Sequence, residues 1–283
     1  MTTEAIGQRD RQRPRRLVHK TSFAVLLVVV LVPFMFVFYY MVSTSLKTGL
    51  DISAPSFKWT FTPTFDNYRT VFAENDFTSF TINSMIVALG STGIGLLIGL
   101  PAAFVLSRYP MPRLALVILS ARVAPGIAFL VPWFIVLSRT DQLDTYQALI
   151  LAHLLQNLPL IIFLMIGFFD DMPSELVDSA RVDGATMQRT FVSIVLPVVR
   201  SGIAATAILG FIFSWNHFLF SVVLAGPKTR TLPVAVFNFM SYGSVNWGAI
   251  TAAATVMALP VVLLTLLVQK HIVQGLTAGA VKS

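Results

Sequence analysis

The sequence contains no cysteine and few charged residues. The absence of cysteine from 283 residues excludes disulfides, thiol nucleophiles and thiolate metal sites. Charged residues make up 12% of the chain and hydrophobic residues 55%, whereas a soluble domain carries about a quarter charged residues. Much of the surface must therefore face lipid, and the composition predicts an all-α integral membrane protein.

Acidic residues are absent from every long apolar run. All 13 Asp and Glu residues lie outside these runs, and none follows Asp183. A proton-coupled secondary transporter normally needs an intramembrane acid for its proton relay. This absence argues against a secondary transporter, which stays the main alternative class together with a membrane channel.

Motifs of common catalytic sites are also missing. The sequence has no GxxxxGK[ST] phosphate loop, so we do not expect this chain to bind ATP itself. It contains no GxSxG elbow, and its four histidines form no HExxH pair (His19, His153, His217 and His271). We therefore expect a chain that is not an enzyme and that holds neither a metal nor a cofactor.

Six apolar runs are long enough to cross a hydrocarbon core of about 30 Å as helices. We expect helices because lipid cannot satisfy free backbone polar groups. The first run is longer than the signal-peptide core of about 7–15 residues, so we interpret it as a retained span. The six runs are Ser22–Val42, Thr81–Leu106, Leu114–Leu137, Tyr146–Phe169, Gly202–Ala225 and Gly248–Val268.

Lysine and arginine are distributed unevenly between the segments that separate the runs. With the N-terminus inside, 13 of the 20 lie in inner segments, six in outer segments and Arg122 within a span. This bias predicts that both termini are cytoplasmic. The basic run at residues 9–16 lies directly before the first span, where basic residues hold the cytoplasmic side. We therefore expect no nucleic-acid partner. The predicted parts are a basic tail (1–21), a six-helix transmembrane domain (22–270) and a C-terminal tail (271–283).

Two features predict how the spans and outer segments are built. Span two carries four glycines whose spacing favours close helix packing, namely Gly90, Gly93, Gly95 and Gly99. The outer segments Lys47–Phe80 and Gly226–Trp247 are long and contain many aromatic residues or prolines. Segments of this length and composition are more often folded than disordered, so we expect them to form a docking surface for an outside partner.

One compact charged segment interrupts the apolar chain, SELVDSARVDGATMQRTFVSIVLP at Ser174–Pro197. Its pattern predicts a short helix from about Ser174 to Val182, because proline and acidic residues favour the first turn. Gly184 should form the following turn with a positive φ. A second short helix is predicted over Thr186–Val195, with Pro197 at the bend into span five. Such a helix pair is too short for a domain, and we expect it to insert into another protein.

This segment resembles the cytoplasmic coupling motif of bacterial ABC importer permeases. The family pattern is EAA, three residues, G, nine residues, I, one residue and LP. Asp178, Ser179 and Ala180 stand at the EAA place, Gly184 follows after three residues, and Ile194 and Leu196-Pro197 complete the spacing. Asp178 replaces the family glutamate and Ser179 the first alanine. Further stretches resemble the maltose-type carbohydrate-uptake branch, namely YYMVSTSLK, FDNY, INS, SWNHFL and VQGLTAGAVK.

The resemblance implies a fold, partners and a coupling site. The fold would be six transmembrane helices with an EAA-type helix pair between helices 4 and 5, in segment 171–200, in the bacterial plasma (inner) membrane. Partners would be a second permease, an extracytoplasmic solute-binding protein and a dimer of ATPases that bind ATP and Mg²⁺. The solute would be a sugar, polyol or sugar derivative. Residues implied in ATPase coupling are Glu175, Asp178, Ala180, Asp183, Gly184, Ala185, Ile194, Leu196 and Pro197.

Polar residues inside the spans are the candidates for solute binding. Arg122 lies about 12 Å deep, at 1.5 Å per residue, and an intramembrane charge is a functional candidate. It could bind an anionic sugar derivative or satisfy carbonyls near Pro125, and the sequence leaves both open. The other candidates are His153, Gln156, Asn157, Trp215, Asn216 and His217, with Trp133, Trp215 or Phe218 able to stack on a sugar ring. Hydrogen bonds between helices are the alternative role for each polar group.

The charge bias makes a topological prediction. A reporter fused after Lys270, or inserted at Ser174, should lie in the cytoplasm, because both positions fall in inner segments. Activity of paired cytoplasmic and periplasmic reporters measures this directly, with an insertion at Lys228 as the outer control. A periplasmic signal at either inner position would contradict the six-span topology.

Overall fold

The computed structural model describes the backbone of residues 4–74, 76–109, 111–123, 125–241 and 244–280. These residues are nearly all helical, apart from an antiparallel pair of two-residue strands, β1 (Met240–Ser241) and β2 (Ser244–Val245). The side chains of residues 1–21 and 269–283 lie outside the described part, so the predicted tail boundaries stay predictions.

Four of the six predicted runs each lie within one helix, and the third and fifth runs are each divided between two helices. Residues Phe191–Val195 form a π-helical turn and Val236–Phe239 a 3₁₀ turn. The α-helices are α1 (Glu4–Ser45), α2 (Gly49–Ile52), α3 (Asp66–Glu74), α4 (Phe77–Arg108), α5 (Pro112–Val123), α6 (Gly126–Arg139), α7 (Tyr146–Asp170), α8 (Glu175–Val182), α9 (Met187–Thr190), α10 (Leu196–Val198), α11 (Arg200–Trp215), α12 (Leu219–Leu224), α13 (Leu232–Ala235) and α14 (Trp247–Ala280).

Four described helices are long and apolar enough to cross a membrane. They lie in Ser22–Ser45, Phe77–Arg108, Tyr146–Asp170 and Trp247–Val268. The number rises to six if each of two bent helix pairs is one span. One bent pair is α5 with α6, at 82°, and the other joins Met187–Val198 to Arg200–Trp215 at 78°. Four to six apolar helices are thus present, and the six-span count stays a prediction.

The fifth predicted run differs from a continuous helix. Helix α11 ends at Trp215, and α12 begins only at Leu219. Asn216 donates its Nδ2 to the carbonyl of Ile212, 2.9 Å away, and so binds a carbonyl of the last turn. The sharp bend before this run falls at Val199, two residues beyond the predicted Pro197. Proline fits the first turn of a helix, and it lies inside α10 here.

The chain divides into two compact units, of which the first comprises Met1–Arg69 and Asn246–Thr255. Its segment after α1 is folded, as predicted, around a buried lysine. Lys47 is 2% exposed, and its Nζ lies 3.4 Å from the ring centre of Phe57 and 5.0 Å from that of Phe61. Burial lowers the pKa of Lys47, and the nearby Asp51 partly opposes this. The aromatic rings thus hold the lysine by cation–π contacts.

The second unit, Thr70–Val245 and Val256–Ser283, is built on the pair α4 and α7. Glycines of α4 allow the close approach, because an added Cβ at Gly95 or Gly99 would lie within 3 Å of Ile161. A Cβ at Gly90 would likewise meet Ile150 of α7. The prediction of close packing is confirmed for these three glycines. It is wrong for Gly93, where an added Cβ meets no atom within 4 Å.

The glycine contacts predict a difference between two otherwise similar substitutions. Gly99→Val should destabilise the protein by about 1–3 kcal/mol, because its methyls would overlap Ile161 in a packed interface. Gly93→Val, in the same helix, should cost far less because its side chain enters open space. Thermal unfolding of the two purified variants compares them. Equal melting temperatures would contradict the glycine-mediated packing of α4 on α7.

Candidate solute pocket and coupling segment

A polar pocket of about 210 Å³ lies in the second unit. It is bounded by the end of α5, the middle of α7, and the end of α11 with the break that follows. Its lining residues are Arg122, His153, Gln156, Asn157, Phe213, Ser214 and His217. Five of the seven predicted solute-binding residues therefore come together at one place, and three of them come from one face of α7.

Arg122, at the end of α5, is held by two contacts across the pocket. Its Nη1 donates to the backbone carbonyl of Gln156, 3.2 Å away. Its guanidinium carbon lies 4.8 Å from the ring centre of Phe213, which is within cation–π distance. The carbonyl it meets belongs to α7 rather than to the turn at Pro125. These contacts fix the orientation of the guanidinium at the pocket wall.

His153 lies at the centre of a buried hydrogen-bond network. Its two ring nitrogens lie 2.8 Å from Ser214 Oγ and 3.2 Å from Ser221 Oγ. Ser91 of α4 donates to Ser214 over 2.8 Å, so the network joins α4, α7, α11 and α12. His217 packs beside His153 with ring centres 4.8 Å apart. His153 therefore forms hydrogen bonds between helices, the alternative role that the sequence left open.

Asn157 ties α7 to α11 and to α4. Its Nδ2 donates to Gly210 O at 3.1 Å and to Thr92 Oγ1 at 3.4 Å. Its Oδ1 and the Nδ1 of His217 are buried without a hydrogen-bond partner among the described residues. Asn157 Oδ1 is an acceptor, whereas Nδ1 of a neutral histidine accepts or donates according to the tautomer. A buried polar atom without a partner costs about 1–3 kcal/mol, so a hydroxyl that reaches either atom would gain a hydrogen bond.

Two predicted solute-binding residues do not line this pocket. Trp215 is buried, donates its Nε1 to Met257 O at 3.1 Å and stacks on Phe211. Asn216 is exposed and binds its own helix. Of the other proposed stacking residues, Phe218 stacks on Phe237, and Trp133 packs against an apolar cluster.

Phe213 and Ser214, which we did not predict, do line the pocket. Within the described residues, no group of three or more His, Cys, Asp or Glu could hold a metal ion. The pocket thus combines one cation, one aromatic ring and several neutral hydrogen-bonding groups.

The charged segment folds as two short helical pieces joined by a turn. Helix α8 ends with Asp183 as its C-cap, and Gly184 follows with φ +79°, the positive value predicted for the turn. The second predicted helix is divided into α9, a π-helical turn and α10. Thr186 caps α9 by accepting the amide of Arg189 at 3.3 Å. The side chains of Glu175, Asp178, Arg181 and Val182 are exposed.

The opposite side of the segment is anchored in the core of the second unit. Val177 and Ala180 are both buried, and Val177 belongs to an apolar cluster with residues of α4 and α7. Rings of Phe104, Phe169 and Phe191 pack together in this cluster, with centres 5.2–6.5 Å apart. Outside the cluster, Arg108 at the end of α4 donates to Ser174 O at 3.1 Å.

The remaining coupling candidates divide by exposure. Asp183, Gly184 and Pro197 are exposed, and Ala185, Ile194 and Leu196 are half-buried. The segment therefore presents charge and the glycine turn outward, while its buried residues Val177 and Val195 pack with residues of α4 and α7.

A second anchored segment follows α12, at Gly226–Leu232. Asp144 accepts the amides of Gly226, Lys228 and Thr229 and the hydroxyl of Thr229, at 2.8–3.1 Å. Asn83 donates to the carbonyls of Lys228 and Arg230 at 3.0 and 2.9 Å. Burial raises the pKa of Asp144, but these hydrogen bonds outweigh it, and the net pKa is lowered. The segment is thus held as a fixed platform.

Removal of the Asp144 carboxylate should release this platform. Asp144→Ala should expose the bond after Lys228 to trypsin, because the backbone amides lose their acceptor. Asp141→Ala is the matched control. Asp141 also has a positive φ, 53° against 57° for Asp144, but its side chain forms no hydrogen bond with the described residues. Cleavage is followed by mass spectrometry. Similar rates for both variants would show that the carboxylate does not hold the segment.

Comparison with known proteins identifies relatives of this chain. Residues 95–278 match the family described as "Binding-protein-dependent transport system inner membrane component". The trehalose transport system permease protein SugB of Mycobacterium tuberculosis is 37% identical over 227 residues, which covers 78% of this chain and 83% of that protein. The sulfoquinovosyl glycerol transport system permease protein SmoH of Agrobacterium fabrum is 32% identical, with coverage of 90% and 91%.

A solved structure shares the fold. It is the crystal structure of a bacterial ABC transporter involved in the import of the acidic polysaccharide alginate, and one chain of it superposes with a TM-score of 0.73. The superposition covers 92% of this chain and 97% of that chain, at 19% identity. The similarity is to the fold alone. By its family match and these relatives, the chain belongs to the binding-protein-dependent transport system inner membrane components.

Proposed function

We propose that this chain is the permease subunit of an ATP-driven ABC importer that moves a sugar or sugar derivative across the bacterial plasma membrane. The observation that carries the proposal is the polar pocket, built by helices that are otherwise apolar. A pocket of neutral hydrogen-bonding groups suits hydroxyls, and Phe213 offers an aromatic face. The names of SugB and SmoH, which refer to sugar compounds, support the carbohydrate class.

The size of the pocket supports a path shared with a second permease. Its 210 Å³ lies below the range of about 300–1,000 Å³ that is usual for complete small-molecule sites. A partner chain of the same kind would contribute the facing half. Either a second, different permease or a second copy of this chain satisfies this requirement.

The charged segment would bind the ATPase subunits in the cytoplasm. Exposed Glu175, Asp178 and Asp183 offer negative charge to basic residues of the ATPase, and Gly184 allows close approach at the turn. ATP and Mg²⁺ would be bound by the ATPases. Because Val177 packs in one apolar cluster with residues of α4 and α7, a movement of α8 would be transmitted to α7, which lines the pocket. Alternating access would follow from this movement.

The outer platform would receive the extracytoplasmic solute-binding protein. Three side chains hold Gly226–Leu232 in place, namely Asp144, Asn83 and Ser84, since Ser84 also accepts the amide of Leu232 at 2.8 Å. A pre-ordered backbone loses less conformational entropy on binding than a mobile one. Solute delivery would then take place outside and ATP hydrolysis inside, in keeping with the predicted cytoplasmic termini.

The coupling role makes Gly184 sensitive to substitution. Gly184→Val should reach the membrane normally but lose ATP-driven uptake, because a left-handed φ costs an L-residue about 1 kcal/mol or more and the side chain would stand on the docking face. Gly184→Asn separates these effects, since asparagine tolerates positive φ. The measurements are co-purification of the ATPase and uptake by the complete transporter in proteoliposomes. Full uptake by Gly184→Val would contradict the assignment.

Charge at Asp178 should matter in the same assay. Asp178→Lys should weaken ATPase binding by charge reversal, whereas Asp178→Glu should transport normally because it restores the family residue. Asp76→Lys, an exposed substitution just before α4, is the matched control. Equal uptake by Asp178→Lys and Asp76→Lys would exclude a charged contact at this position.

A further inference from the structure

Arg122 lies in the pocket without an anionic partner. Among the described residues, one salt bridge is present, and it joins Lys58 and Asp51. Arg122 therefore has no carboxylate partner there. No Asp or Glu occurs in any of the predicted spans. The positive charge of Arg122 therefore has no negative counter-charge among the described residues, although the helices that carry the pocket are largely apolar.

The contacts of Arg122 orient the guanidinium without neutralising it. A guanidinium has five N–H donors, and one of them, on Nη1, is used by the carbonyl of Gln156. Phe213 offers the face of its ring. Arg122 is half-buried, so donors stay available at the wall of the pocket. A carboxylate or sulfate group can accept two parallel hydrogen bonds from such a fork.

We propose that the solute carries an anionic group and that Arg122 binds this group in the pocket. The proposal rests on the proposed function, since it names the class of solute transported: a sugar acid or an acidic sugar ester. Desolvation of an intramembrane cation is costly, and an anionic solute supplies the missing counter-charge. A neutral sugar would leave the guanidinium unpaired.

The rest of the pocket would bind the hydroxylated part of the same solute. Asn157 Oδ1 and His217 Nδ1 are buried without a hydrogen-bond partner among the described residues, and a sugar hydroxyl can both donate and accept. Arg122 contributes donors alone, whereas Asn157 Oδ1 accepts and His217 Nδ1 accepts or donates according to its tautomer. Charge at one side and these neutral groups at the other would orient an acidic sugar.

The test uses the complete transporter in nanodiscs and three probes: glucuronate, glucose 6-sulfate and glucose. Binding is measured as the concentration dependence of the thermal shift. Wild type should bind the anionic probes more tightly than glucose. Arg122→Gln should weaken their binding on the order of 10- to 100-fold, as for loss of a charged hydrogen bond, while glucose binding changes little. Arg122→Lys should retain part of the preference because it keeps the charge. Arg139→Gln, an exposed arginine at the end of α6, is the control.

Two outcomes would overturn the proposal. Equal binding of glucose and both anionic probes by wild type would show that charge is not recognised. A preference for anions that persists in Arg122→Gln would place the recognition elsewhere. If Arg122→Gln does not assemble, the wild-type comparison of the three probes still decides whether the pocket selects an anion. Absence of ATP-driven uptake of any sugar would instead refute the proposed function, which a separate uptake assay detects.

Discussion

Ile161 of α7 packs against the backbone of α4 at Gly95 and Gly99, and this close contact supports the rest of the second unit. Larger residues at either glycine would force the helices apart. The same helix pair is joined by hydrogen bonds near both ends. Tyr146 donates to Asn83 at one end, over 2.7 Å, and Ser107 donates to Asp170 at the other. The two helices therefore behave as one rigid element.

This rigid element carries the three places at which we propose function. Asn83, at one end, holds the platform at Gly226–Leu232. His153 and Asn157, near the middle of α7, line the pocket. The opposite ends of α4 and α7 contribute Phe104 and Phe169 to the cluster that buries Val177 of α8. Because packed cores switch between discrete arrangements rather than deform continuously, a push on α8 would move the platform, pocket and coupling segment together.

Much of this arrangement could be predicted from the sequence, because its signals are local. Apolar length located the helices, and the turn chemistry of Gly184 predicted its positive φ. Spacing within one helix placed His153, Gln156 and Asn157 on one face, and the structure places all three at one pocket. The roles of these residues in transport stay predictions.

The remaining features depend on contacts between distant parts of the chain. The end of α11 at Trp215 left Asn216 outside the pocket, although a continuous helix had been expected. Trp215 was predicted to stack on solute, but a carbonyl of α14 binds its indole. Phe213 carries no sequence signal, since its role at the pocket arises only from the position of Arg122 on another helix.

The transport mechanism proposed for this chain depends most directly on α8 as the surface that binds the ATPase. The absence of native cysteine allows a clean single-cysteine variant, and Val182, whose side chain is 88% exposed at the end of α8, is the position to label. The decisive measurement is the rate at which a membrane-impermeant maleimide labels Val182→Cys in inside-out vesicles. We predict rapid labelling of the permease without ATPase and strong protection when the ATPase is bound. An unchanged labelling rate with bound ATPase would contradict the account.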